Sequence, residues 1–455
     1  MSGIRTVQIS GWGNLALADA AVMRPEKNSD VRRILAEPDC TSLIARGKGR
    51  SYGDSSINEN GRVVITDHLN RFLDFDQDNG ILTCEPGVTF EEIIRFLLPR
   101  GFFPPVTPGT KFVSIGGAVA ADVHGKNHHI DGSIGNFVER LELLTAGGDI
   151  LTCSREENEN IFWATIGGMG LTGFILSITL RLTPVESAFM TTDYIRLPNF
   201  DAAFERLQHD DESKRYSVAW IDCVAGGKSL GRSVLIEAEH TTVDELDSNS
   251  KRNPFKYRVK KKKNVPIHFP GFVLNSFSVS AFNTLYYAKH RSVTGKVIGF
   301  DPFFYPLDSV NNWNRIYGKR GFIQYQALLP PESSREGIRQ LLEAISTSKM
   351  ASFLAVLKKT GPANDGLLSY CRPGFTLALD LPNYGERLKQ LTQKLDQIVL
   401  KHAGRLYLAK DSMMSPDTFR GMYPRLEEFE EIVRALDPNK RFRSSQSRRL
   451  GIAEK

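Results

Sequence analysis

The chain has 455 residues, 41% of them apolar and 24% charged, with a formal net charge of +6. That composition describes a globular protein with room for two domains and excludes a disordered chain. So mild a charge, with no basic stripe along the whole length, gives no sign of nucleic-acid binding.

The opening residues M-S-G-I-R-T-V-Q-I-S-G-W-G-N lack the apolar core of a signal peptide. No apolar run reaches the roughly 18 residues of a membrane-spanning helix. Cys40, Cys84, Cys153, Cys223 and Cys371 form no C-x-x-C pair and no metal-ligand spacing. These features predict a reduced, cytoplasmic protein, and they are compatible with a peripheral position at the inner face of a membrane.

In chain order, S-D-V-R-R-I-L-A (29–36) predicts a helix start with Ser29 or Asp30 as N-cap. S-L-I-A-R (42–46) predicts a strand that empties into G-K-G-R-S-Y-G-D (47–54), a glycine loop suited to phosphate. V-V-I-T-D (63–67) and G-I-L-T-C-E-P-G-V-T (80–89) read as strands, and T-F-E-E-I-I-R-F-L-L (89–98) as a helix with a Thr cap. The stretch from Pro108 to His129 holds four glycines and three histidines. Its small residues let backbone N–H groups approach a flat, phosphate-bearing ligand. Taken alone, the stretch reads equally well as a Gly-rich turn.

Residues 138–152 predict a hairpin turning at Gly147-Gly148. Gly168, Gly170 and Gly173 have the G-x-G-x-x-G spacing, but F-I-L-S-I-T-L-R-L after them reads as a strand where the dinucleotide fingerprint needs a helix. From about 190 to 405, strands are predicted at 216–222, 321–329, 353–359 and 375–382, with amphipathic helices at 335–345 and 385–400. These predict an α+β unit with one large antiparallel sheet flanked by helices. The tail runs from R-L-Y-L-A-K-D-S (405–412) into a helix ending near 436. The segment K-R-N-P-F-K-Y-R-V-K-K-K-K-N (251–264), with the apolar residues that follow to 277, suits anionic lipid headgroups and reads equally as a solvated loop.

The loops at 45–54 and 108–129, with the strand at 171–182, resemble the vanillyl-alcohol-oxidase class of FAD-linked oxidoreductases. Within that class, H-G-K-N-H-H (124–129), G-R-S-Y-G-D (49–54), Q-Y-Q (324–326) and Y-L-A-K-D-S (407–412) are similar to the decaprenylphosphoryl-ribose 2′-oxidases. The resemblance implies a two-part, PCMH-type FAD-binding domain over 1–187, completed by 405–455, and a substrate domain over 188–404. It also implies oxidation of the 2′-hydroxyl of a polyprenylphosphoryl ribose to the 2′-keto sugar. This is the first half of an epimerisation to the arabinose form used in cell-wall arabinan, with an NAD(P)H-dependent short-chain reductase as partner. The alternatives are a soluble sugar-alcohol or aldonolactone oxidase, and a non-catalytic flavin-fold partner of a reductase.

For FAD, the resemblance implies contacts from Arg46, Gly47, Lys48, Gly49, Arg50, Ser51, Tyr52, Gly53 and Asp54 in the first loop. The second loop supplies Gly109, Ser114, Ile115, Gly116, Gly117, Ala121, Asp122, Val123 and His124, and Ile175 and Tyr407 complete the set. Arg50 stands where many relatives carry the histidine that bonds the flavin, which implies a noncovalent cofactor. Where the mycobacterial enzyme has a cysteine attacked by covalent inhibitors, F-T-L-A-L-D-L-P places Ala378. Alcohol oxidation needs hydride loss from carbon and proton loss from oxygen, so the protein must supply a base. Lys410 is the candidate base, since a desolvated lysine can shift its pKa and still attract anions. His124 and Tyr52 join it at the reacting centre, and Lys126, Gln326, Lys358 and Lys410 are the candidate substrate ligands. His124, His128 and His129 lack a carboxylate or cysteine at a metal-ligand spacing, so no metal is expected.

Overall fold

A computed structural model describes residues 5–15, 17–209, 214–257, 262–271, 273–350 and 352–454. Two sheets carry the glycine loops. In the first, the strand order is Arg5–Ser10, Leu17–Met23, Arg62–Ile65, Leu43–Arg46, and both neighbours of Arg62–Ile65 run parallel to it. That strand is buried at every position, as a β-branched run in the middle of a parallel ladder should be. Leu43–Arg46 delivers the chain to the loop at 47–54.

The second sheet is antiparallel, in the order Phe72–Asp76, Ile81–Cys84, Phe174–Arg181, Val138–Leu144, Ile150–Ser154. The hairpin between its last two strands turns at Gly148, whose φ of +91° suits a residue without Cβ. The helix Glu159–Thr165 precedes the glycine run and a strand follows it, the reverse of a dinucleotide fingerprint. The helix Phe90–Leu97 starts at Thr89. The Thr89 hydroxyl accepts the Glu92 N–H at 3.2 Å, and the Glu92 carboxylate accepts the Thr89 N–H at 2.8 Å. The helix Asn28–Ala36 corrects the expected cap. Lys27 holds the N-cap position, and Asp30, inside the first turn, accepts its N–H at 3.1 Å.

The large sheet has eight antiparallel strands in the order Val293–Gly299, Phe189–Leu197, Ser233–His240, Tyr216–Ile221, Ala355–Thr360, Gly374–Pro382, Phe322–Leu329, Arg405–Leu406. The first three strands in that order escape the sequence reading. The edge strand Val293–Gly299 is exposed over most of its length and carries no buried alternation. Helices Pro331–Ser348 and Glu386–Lys401 pack on one face, which leaves Gly374–Pro382 buried throughout. Arg405–Leu406 pairs with Phe322–Leu329, so the sheet continues past the division expected at 404.

The tail helix expected to reach 436 is two helices, Pro416–Met422 and Leu426–Leu436. Pro424 separates them, because it has no N–H to donate and biases Tyr423 away from helical geometry. Of the basic segment, 258–261 lie outside the described residues. Lys262 pairs with Glu91 at 3.8 Å and stands 4.3 Å from the Phe112 ring centroid. No helix among the described residues is long and apolar enough to cross a membrane.

Candidate active site

Strand register builds one wall of a cavity of about 1060 Å³. Gln326 lies opposite Ala378, Ala378 opposite Val356, and Val356 opposite Trp220. Side chains alternate faces along a strand, so these four form a row on one face. A step of two residues along each strand stays on that face and adds Gln324, Asp380, Lys358 and Val218. The glycine loops supply the facing wall, and Tyr407, Ala409 and Lys410 also line the space.

Gly49 takes φ +62°, and a Cβ on Gly47 would strike the Ser114 hydroxyl of the second loop. Gly116 is equally confined, since a Cβ there would meet Pro86. Among the described residues, none of the N–H groups from Gly47 to Ser51 meets a protein acceptor. Arg50 packs its guanidinium 4.2 Å over the Trp12 ring, and its buried Nε finds no partner. A row of free backbone donors beside an unpartnered guanidinium is what a pyrophosphate requires, and the residues present fit FAD.

The structure brings Gly47, Lys48, Gly49, Arg50, Ser51, Tyr52, Gly109, Ser114, Gly116, Gly117, Ala121, Val123, His124, Ile175 and Tyr407 to the cavity. Five of the expected FAD contacts stand behind it instead. Arg46 turns away to the Ser10 carbonyl at 2.7 Å and to Ser56. Ile115 is fully buried in the core. Gly53 lies against the Asp411 carbonyl. Asp54 pairs bidentately with Arg449 at 2.7 and 2.9 Å. Asp122, at φ +40°, accepts from Ser133, Gly135 and Asn364 at 2.8–2.9 Å and so fixes the turn before His124.

Every expected substrate ligand faces the cavity. Lys410 Nζ stands 4.2 Å from the Tyr52 ring centroid. Burial lowers its pKa to about 8, against the pull of Asp380 and with the repulsion of Lys358. Burial likewise lowers Lys358 to about 8. Burial and then Lys358 lower Lys126 to about 7. Lys126 donates to the Phe303 carbonyl. Burial, followed by repulsion from Lys358, holds His124 well below the ordinary histidine range, so its ring is neutral. Gln326 Nε2 lies 2.8 Å from His124 Nε2 and Lys358 Nζ 3.0 Å from Nδ1. A neutral imidazole accepts at one nitrogen and donates at the other. When Lys358 is an ammonium donating to Nδ1, Gln326 must therefore turn its oxygen to Nε2.

His128 accepts the Gly361 N–H at 3.1 Å, and His129 faces the Lys214 carbonyl at 3.3 Å. Among the described residues no group of three or more His, Cys, Asp or Glu side chains is arranged to hold a metal.

Two features of the site escape the sequence reading. Gln324 reaches both the Tyr52 hydroxyl at 3.3 Å and Asp380 at 2.8 Å, and burial raises Asp380 to about 7. A lone carboxylate in the apolar run F-T-L-A-L-D-L-P is the signal that marks it. Arg449 also pairs with Asp411 at 2.8 Å, which couples the last helix, Ser445–Leu450, to the turn that carries Lys410.

A sheet face and two glycine loops enclosing basic side chains define the class of FAD-linked oxidoreductases. The FAD binding domain matches residues 19–154, and the D-arabinono-1,4-lactone oxidase domain matches 322–450. Decaprenylphosphoryl-beta-D-ribose oxidase of Mycolicibacterium smegmatis is 37% identical over 455 residues, covering 98% of this chain and 98% of its own. L-gulono-1,4-lactone dehydrogenase of Mycobacterium tuberculosis is 22% identical over 97% of this chain and 98% of its own, and L-gulonolactone oxidase of Mus musculus 24% over 97% and 98%. The chain belongs to the decaprenylphosphoryl-β-D-ribose oxidase family and is an FAD-dependent oxidoreductase.

Ala378 lines the cavity, and the five cysteines are all buried elsewhere. Thiol-directed inhibitors are therefore expected to leave activity intact, and Ala378→Cys to confer time-dependent inactivation. Inactivation of the unaltered protein would show that a cysteine outside the cavity is reached.

Proposed function

We propose that this chain oxidises the 2′-hydroxyl of a polyprenylphosphoryl ribose to the 2′-keto sugar, the first half of an epimerisation to the arabinose form. The observation that carries the reading is the convergence of Lys126, Lys358, Lys410 and Gln326 on the cavity that the glycine loops share. FAD, held by the 47–52 loop and by Gly116, Gly117 and Tyr407, supplies the hydride acceptor. Lys410, with its lowered pKa, takes the hydroxyl proton at Nζ. Lys126 and Lys358 hold the phosphate as ammonium groups, and neutral His124 with Gln326 orients the sugar by hydrogen bonds. The aromatic and aliphatic remainder of the cavity favours a lipid-linked substrate over a free polyol or lactone.

Residues 1–187 with 405–455 serve as the FAD-binding unit and 188–404 as the substrate unit in this reading. The pairing of Leu43 with Phe442 and of Asp54 with Arg449 supports the discontinuous assignment. An NAD(P)H-dependent reductase completes the epimerisation, since the chain carries no nicotinamide fingerprint. Exposed Lys263, next in sequence to the cavity-lining Asn264, supports a contact with anionic lipid at the inner face of a membrane.

The test is anaerobic bleaching of the flavin by polyprenylphosphoryl ribose, with a free polyol and an aldonolactone as comparisons. Bleaching by the lactone alone would replace this substrate class with the soluble one. Acid precipitation is expected to leave the flavin in the supernatant, because Arg50 cannot form the histidyl bond. Flavin in the pellet would refute noncovalent attachment.

A further inference from the structure

The cavity extends well beyond the lysines. Its lining passes from Val356 to Trp220 and Ile236, and on to Phe282, Tyr286 and His290. The rings in this arm pack on one another, with Trp220 and Tyr286 centroids 4.5 Å apart and Phe282 and Phe353 5.8 Å apart.

The helix Ser276–Lys289 forms the arm's outer edge and turns its apolar residues outward. Phe277, Ala281 and Leu285 recur at four-residue spacing, which aligns them on one side. Phe277 is 83% exposed, Leu285 71% and Phe282 47%. The helix is firmly held. Buried Asn283 donates to Asp222 at 2.8 Å, and Arg232 braces the same carboxylate at 2.9 Å. Asn283 thus faces inward and Phe282 and Tyr286 face the cavity, while Phe277, Ala281 and Leu285, next to Phe282 around the helix, face solvent, and such exposure marks an interaction site.

We propose that the aromatic arm and the helix stripe are the subsite for the isoprenoid chain of the substrate. This rests on the proposed function. Lysines fix the phosphate, so the chain bonded to that phosphate has to leave through the apolar continuation of the same cavity. The arm supplies that continuation, and the stripe beside Phe282 prolongs it along the surface, where removal of apolar area from water stabilises the bound chain. One helix width of apolar surface suits a linear chain better than a protein partner, whose interface needs about 800 Å² per side with a polar rim.

Two phosphoryl riboses with the same headgroup test this, one with a short water-soluble chain and one with a long polyprenyl chain, both presented in detergent. The double change Phe277→Ser with Leu285→Ser alters only exposed positions. It is expected to raise KM for the long-chain substrate about tenfold, through loss of two apolar contacts. The value of kcat and the short-chain KM should stay as they are. Equal shifts for both substrates, or for neither, would overturn the subsite. So would a shift that appears only when the long-chain substrate is presented in vesicles, because that result assigns the stripe to the membrane surface. Polyprenyl phosphate without sugar separates the subsite from the reaction. It is expected to bind the unaltered holoenzyme about tenfold more tightly than the double variant, on the same two contacts. That difference, found together with no oxidation of either ribose, would support the subsite while refuting the proposed reaction. Equal binding to both proteins would refute the subsite.

Discussion

Lys410→Met is expected to lower kcat for sugar oxidation by about 10²–10⁴-fold, the range over which a positioned proton acceptor contributes. FAD content and the visible spectrum should persist, because the lysine packs on Tyr52 while the cofactor donors lie in the loops. Lys358→Met and Lys126→Met should act mainly on KM, by about tenfold or more each, since a charge-assisted bond to phosphate contributes about 1.5–3 kcal/mol. The pH dependence follows with a definite sign. A lysine whose pKa is lowered to about 8 becomes the neutral base only above that pH, so kcat/KM rises through it. Lys126, lowered to about 7, and Lys358, lowered to about 8, must keep their protons to hold the phosphate, so activity falls again on the alkaline side. A narrow bell centred between about 7 and 8 is the expected profile, with limbs that belong to the coupled cluster. Lys410→Met should flatten its acidic limb. If that variant retains the kcat of the unaltered enzyme, another group accepts the proton.

Arg449→Leu carries the second large effect, on stability. The change leaves Asp54 and Asp411 facing each other in the interior, where Asp411 is 2% exposed. Removing one partner of a buried ion pair costs about 3–5 kcal/mol. The urea midpoint should fall with an unchanged m-value, and FAD should be lost at lower denaturant, since Asp54 closes the flavin loop. Adding Asp54→Asn and Asp411→Asn to Arg449→Leu should recover part of the loss by removing the stranded charges. An unchanged midpoint for the single variant would show that the arginine braces nothing.

The parts legible in sequence are those governed by local rules. Period-two apolar runs mark the central strands of the large sheet, and the Thr89-Glu92 box marks its helix. The glycine loops follow from the need for backbone close to a phosphate. The edge strand Val293–Gly299 stays hidden because solvent on both sides removes the pattern. At the site, the lysines and Gln326 come from motif resemblance. Arg46, Asp54 and Asp122 share those motifs but brace the loops from behind, a distinction that depends on which way each side chain turns. The Arg449 triad is invisible because its members lie 38 and 395 residues apart in the chain.

That last separation sets an order of events during synthesis. The loop ending at Asp54 leaves the ribosome early, yet its ion-pair partner is made 395 residues later. At about 5–20 residues per second, the nascent loop waits about 20–80 s for Arg449. Throughout that interval the strand Leu43–Arg46 also lacks the backbone bonds it shares with Arg441 and Arg443. Closure of the flavin loop by this pair therefore waits until Arg449 has been made, and a premature stop anywhere before the helix Ser445–Leu450 yields a protein that cannot close the loop in this way.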